Sequence, residues 1–136
     1  MKSSDFRTPL ARVRGLGSAK DGTSHFLWQR ITAIVLIPLS FWFISSLLKT
    51  GISSNPAALT EWLASGIHVA ALILMLMALF YHAALGIQVV VEDYVHCPYM
   101  KMTVLLLNAF LMLSFAIISI LAVLKLHFHM IPGVEQ

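Results

Sequence analysis

Charge is scarce in this sequence. Only 11% of its 136 residues are Asp, Glu, Lys or Arg, against about 25% in an ordinary soluble domain. Acidic residues are the scarcer sign, six against nine basic ones. There is a single cysteine, Cys97, which excludes an internal disulfide and cannot by itself build a zinc or iron–sulfur site. It reads as a lone interfacial thiol. No Gly-x-Gly-x-x-Gly fingerprint occurs, so no phosphate-cradling turn of that kind is encoded. No internal repeat or low-complexity segment stands out. What the sequence has in abundance is hydrocarbon: 59% of residues are hydrophobic and the mean hydropathy is +0.86. A chain of this length holds about three spanning helices of roughly 20 residues each. That leaves no room for a separate soluble catalytic domain. The expected fold class is all-α, an integral membrane protein with three transmembrane helices.

Three apolar runs are visible, over about 31–48, 62–91 and 102–124. The organisation expected is a basic N-terminal tail at 1–29, a three-helix membrane domain at 30–125 and a short C-terminal tail at 126–136. Pro38 falls inside the first run, where membrane helices tolerate it with a kink. Asn55-Pro56 marks a turn, with Pro56 suited to a following helix start. Pro132-Gly133 is a stop signal. The first run starts late, after about 30 residues, and runs for roughly 18, so it reads as a retained helix. Arg7, Arg12 and Arg14 suit a mitochondrial transit peptide, but Asp5 and Asp21 weaken that reading. Lys2, Arg7, Arg12, Arg14, Lys20 and Arg30 precede the first run and Lys101 separates the second from the third. Only Lys49 and Lys125 lie on the other side. The positive-inside rule therefore expects a cytoplasmic N-terminus and a cytoplasmic second connection.

The second run carries the most informative residue, His82. An ionisable group inside hydrocarbon is costly and needs a partner. At about 100° per residue, His82, Gly86, Val89 and Asp93 lie close to one helix face. His82 is about 16 Å along the axis from Asp93, near the middle of a core roughly 30 Å thick. Gly86, one turn on, lets a planar group or another helix approach. Neutral imidazole is a good axial ligand for haem iron, and low-spin haem needs two. A hydrogen bond from His82 to a neighbouring helix, with Gly86 as packing, is the competing reading. His68 shares the face but lies about 21 Å away, so one iron cannot use both. His25, His96, His127 and His129 lie near helix ends and read as interfacial. Asp93 and Tyr94 stand where a bilayer-dissolved quinone could be met. A phenol can donate to a quinone carbonyl, and an acid beside it can orient the ring or relay protons. Interfacial Tyr and helix-end acids are also commonplace. Arg30 can serve a haem propionate or a quinol oxyanion, or simply anchor the helix by snorkelling.

Two blocks carry a family resemblance. One is Arg12-Val13-Arg14-Gly15-Leu16-Gly17-Ser18-Ala19-Lys20-Asp21-Gly22-Thr23-Ser24-His25, continuing into Trp28-Gln29-Arg30-Ile31-Thr32-Ala33. The other is His82-Ala83-Ala84-Leu85-Gly86-Ile87-Gln88-Val89-Val90-Val91-Glu92-Asp93-Tyr94-Val95, a His-x3-Gly-x-Gln-Val-x3-Asp-Tyr pattern inside an apolar run. With these the chain resembles the hydrophobic membrane-anchor subunits of succinate dehydrogenase, the smaller partners of cytochrome b556. The resemblance implies respiratory complex II, which joins the tricarboxylic acid cycle to electron transport. Its partners there would be a flavoprotein subunit, an iron–sulfur subunit, the cytochrome b556 subunit and membrane lipid, with no nucleic acid. It implies haem b shared with cytochrome b556, with His82 as one axial ligand to the iron and the second from that partner. It also implies that Tyr94 hydrogen-bonds ubiquinone with Asp93 beside it, and that Arg30 lies near the haem propionates or the quinone. His68 has no counterpart in that pattern. The chain alone would have no succinate activity, and its place would be a bacterial inner membrane, multi-pass, in preference to a mitochondrial one. Two other classes compete. An anchor of another quinone-linked dehydrogenase would use His68 and His82 for two haems. A small proton-coupled transporter subunit would use His82 as a relay and contain no haem.

Overall fold

The computed structural model describes residues 20–52 and 57–130. Four helices account for nearly all of them, and no strand occurs among the described residues. Helix α1 spans Lys20–Ile52, α2 Ala57–Ala64, α3 Gly66–Tyr94 and α4 Pro98–Met130. Three are long and apolar enough to cross a membrane, over Thr23–Gly51, Gly66–Tyr94 and Pro98–Met130. The three spanning helices expected from composition are therefore present. The physical reason is that hydrocarbon offers backbone groups no water, and a helix satisfies them within one segment. The basic tail with Lys2, Arg7, Arg12 and Arg14 lies outside the described residues, as do the Asn55-Pro56 turn and the Pro132-Gly133 stop.

The element boundaries differ from the apolar runs in three places. Helix α1 begins at Lys20, before the first run, and passes unbroken through Pro38. Helix α4 starts at Pro98 and continues to Met130, so His127 and His129 belong to its last turn rather than to a tail. The second run is divided at Ser65, which is extended at φ −75° and ψ 112°. Ser65-Gly66 supplies two poor helix formers in a row. The Ser65 carbonyl accepts the first amides of α3, from His68 at 3.1 Å and Val69 at 3.2 Å.

Among the described residues α3 is central. It packs against α1 on one side and α4 on the other, and α1 and α4 do not meet. The short α2 lies against α4 and touches α3 and α1. The buried apolar side chains are Leu63, Val69, Leu72, Met75, Leu85 and Val91, all but Leu63 on α3. Two buried polar side chains flank the middle of α3. Asn108 of α4 donates from Nδ2 to the Ala84 carbonyl at 3.0 Å. Thr32 of α1 meets His82.

Candidate functional site

Helices α1 and α3 run antiparallel, because Thr32 meets His82 while Trp42 meets His68. Thr32 lies before the midpoint of the span Thr23–Gly51, and His82 lies after the midpoint of Gly66–Tyr94. Both offsets point the same way, toward the end where α1 begins and α3 finishes. At 1.5 Å per residue they amount to about 8 Å and about 3 Å. His82 is thus inside the apolar slab, on the α1 N-terminal side of its centre, and Asp93 is about 16 Å further toward that rim.

His82 is half-buried, and its Nδ1 is 2.9 Å from the Thr32 hydroxyl. That hydroxyl is also 2.9 Å from the Trp28 carbonyl oxygen and 3.1 Å from that of Gln29. Thr32 is only 8% exposed. Nε2 of His82 makes no hydrogen bond among the described residues. Beside it, a Cβ added to Gly86 would meet nothing within 4 Å. The space next to His82 is therefore not filled by the described residues. The inter-helix hydrogen bond and a free ring nitrogen coexist on one imidazole. The two readings that the sequence left open, a packing bond and a ligand, are compatible.

The other residues singled out in the sequence are not gathered around His82. Arg30 precedes Thr32 by two positions, about 200° around the helix, so it starts on the opposite face of α1. It is exposed, and its guanidinium lies 5.0 Å from the centre of the Phe26 ring. Asp93 and Tyr94 are exposed at the end of α3, and their side chains make no hydrogen bond among the described residues. Their neighbour Glu92 is occupied: its carboxylate accepts from Gln88 Nε2 at 2.7 Å, and its carbonyl accepts from Lys101 Nζ at 2.8 Å. His25 has a buried Nε2 without a hydrogen-bond partner.

His68 finds a structural position at the other end. Its Nδ1 is 3.2 Å from the Trp62 carbonyl, and its ring stacks on Trp62 at 5.2 Å, with Trp42 5.9 Å away. His127 Nδ1 is 2.7 Å from the Leu63 carbonyl. Both carbonyls lose their helical partners where α2 stops. A cavity of about 480 Å³ opens between α3 and α4, lined by Met77, Phe80, Tyr81, Gln88, Asn108 and Met112 among others, and His82 is not part of it. No three His, Cys, Asp or Glu side chains gather as a metal site among the described residues.

Sequence reasoning missed Thr32, Asn108 and the bond made by His127. The signal for the first two was a hydrogen-bonding side chain alone within an apolar run. Such a group needs a partner in hydrocarbon, although the partner's identity is set by tertiary packing.

Comparison with known proteins adds the following. Residues 4–123 match the family model described as succinate dehydrogenase/fumarate reductase transmembrane subunit. The chain is similar to a succinate dehydrogenase hydrophobic membrane anchor subunit of Rickettsia bellii, 37% identical over 102 residues, covering 75% of this chain and 81% of that one. The corresponding subunit of Rickettsia conorii is 34% identical over 104 residues, 76% of this chain and 82% of that one. That of Rickettsia felis is 33% identical over 104 residues, 76% and 81%. No solved structure matches the chain.

Proposed function

Because this chain belongs to the succinate dehydrogenase/fumarate reductase transmembrane subunit family, we propose that it anchors a succinate:ubiquinone oxidoreductase and shares one haem b with a second membrane subunit. It is a multi-pass inner-membrane protein, and its part in catalysis is that of one subunit in an oxidoreductase complex. The finer assignment names the partners: a flavoprotein, an iron–sulfur protein and cytochrome b556. Electrons from succinate would reach ubiquinone at the rim where α3 ends, which the charge asymmetry puts in the cytoplasm.

The observation that carries the haem reading is the state of His82. Its Nδ1 is tied to Thr32, and among the described residues its Nε2 is unengaged and the space beside Gly86 is open. These residues fit a haem edge beside Gly86, with His82 as the side chain that would hold the iron. The iron's other ligand would come from the partner subunit, since His68 is held at the far end of α3. Haem, when bound, supplies a one-electron carrier; the protein supplies position, orientation and a dry setting. His82 would hold the iron from inside the slab. The exposed Arg30 guanidinium is available to a propionate or to a partner. Tyr94 donates its phenol proton to a quinone carbonyl oxygen, and Asp93 beside it orients the ring or passes a proton from the aqueous side. Neither side chain is committed to a hydrogen bond among the described residues, as suits residues that serve a substrate.

The test is His82→Ala in the assembled complex, read by the optical and electron paramagnetic resonance spectra of the haem. The expected outcome is loss or displacement of the low-spin haem signal. An unchanged spectrum at full haem content would overturn the ligand assignment.

A further inference from the structure

The hydroxyl of Thr32 has three neighbours at hydrogen-bond distance and one proton to give. Two of them, the carbonyl oxygens of Trp28 and Gln29, can only accept. The third, His82 Nδ1, can accept or donate according to its tautomer. Suppose the hydroxyl donated to Nδ1. Both carbonyls would then face hydroxyl lone pairs at 2.9 and 3.1 Å with no proton between. In a low-dielectric interior that repulsion is costly, and the imidazole proton, moved to Nε2, would have no acceptor among the described residues. Suppose instead that the hydroxyl donates to the Trp28 carbonyl, the back-bond that helical threonines commonly make. A lone pair then faces His82, and the imidazole must supply an Nδ1–H. Only this second arrangement pairs every donor with an acceptor.

A neutral imidazole carries one N–H. With the proton on Nδ1, Nε2 presents a bare lone pair. From this we infer that Thr32 is a positioning residue for the haem iron: it locks His82 in the Nδ1–H tautomer and leaves Nε2 as the ligating atom. The inference rests on the haem-ligand reading of His82. Its chemistry is that of an outer-sphere partner, which fixes ring orientation and raises ligand basicity. Because the Thr32 oxygen is itself a donor to Trp28, its lone pair is polarised and accepts more strongly. A more basic imidazole favours ferric over ferrous iron, so Thr32 holds the haem potential down.

The experiment uses the whole complex in mild detergent with Thr32→Val, Thr32→Cys and Thr32→Ser. Succinate oxidation by a soluble dye serves as the assembly control. Valine keeps the shape and removes the acceptor, and cysteine keeps a weak one. Serine keeps the hydroxyl and removes only a methyl. Thr32→Val is expected to raise the haem midpoint potential, shift the ferric g-values and weaken haem retention by roughly 10- to 100-fold. Thr32→Cys is expected to move the same readouts in the same direction by less, and it carries the test if the valine variant does not assemble. Thr32→Ser is expected to match the parent, which a packing role for Thr32 would not produce. Parental midpoint and g-values in Thr32→Val, or in Thr32→Cys where the valine variant does not assemble, would overturn the inference. A parent complex without haem, or a His82→Ala complex with the parental haem spectrum, would overturn the ligand reading instead.

Discussion

Tyr94 is the last residue of α3 and is 78% exposed, with its hydroxyl unengaged by the described chain. On the quinone reading its phenol is worth one hydrogen bond, about 1–1.5 kcal/mol, and the aromatic ring contributes packing that phenylalanine would retain. Tyr94→Phe is therefore expected to slow quinone reduction by about tenfold, with succinate oxidation by a soluble dye unchanged. Normal quinone turnover in that variant would remove Tyr94 from the site. Residues of this kind were legible because of their contrast with the surrounding sequence: His82 is an ionisable group within hydrocarbon, and Asp93-Tyr94 ends a run with hardly a polar side chain. Thr32 was not legible as a partner of His82. Fifty positions separate them, and a hydroxyl in an apolar run announces a need for a partner without saying which helix supplies it.

At the scale of the element, the break between α2 and α3 shows what hydropathy hides. The run over 62–91 looks continuous because leucine, alanine and isoleucine do not record where a helix stops. The Ser65-Gly66 pair was the available signal. Its structural consequence, two carbonyls released inside an apolar layer, follows only once the break is known. The chain caps them with imidazoles from two different helices, His68 from the next turn and His127 from the far end of α4. An unsatisfied buried carbonyl costs about 1–3 kcal/mol. Cross-helix hydrogen bonds in membranes are worth less, averaging about 0.6 kcal/mol and reaching about 1.7. His127→Phe preserves an aromatic ring and removes the donor. It is expected to lower the resistance of the assembled complex to unfolding in mixed micelles by about 1 kcal/mol, with no change in the haem spectrum, because His82 lies at a distant turn of α3. A haem change in that variant would mean that the break and the His82 site are mechanically coupled.

At the scale of the whole molecule, the described residues form an open layer of helices in which the centre is covered from both sides and the flanks are bare. Ile37 and Phe41 on α1 are 70% and 76% exposed, which is intelligible only if lipid or another subunit's helices cover them. The open arrangement leaves room for the second membrane subunit that the proposed shared haem requires. Its orientation across the bilayer rests on charge alone, with six of the nine basic residues before or in the first turns of α1 and Lys101 in the first turn of α4. The chain carries its own probe for this question. Cys97 is the only cysteine, and it is exposed in the connection between α3 and α4, on the same side as the start of α1. With the N-terminus cytoplasmic, a membrane-impermeant maleimide should label Cys97 in inverted vesicles stripped of peripheral subunits and leave it untouched in intact spheroplasts. Labelling from the outer face would invert the topology. It would move Asp93 and Tyr94 to the outer surface, and a quinone site fed by a cytoplasmic succinate-oxidising subunit could not then be built at that rim. One native thiol therefore tests the direction of the chain and the placement of the proposed chemistry together.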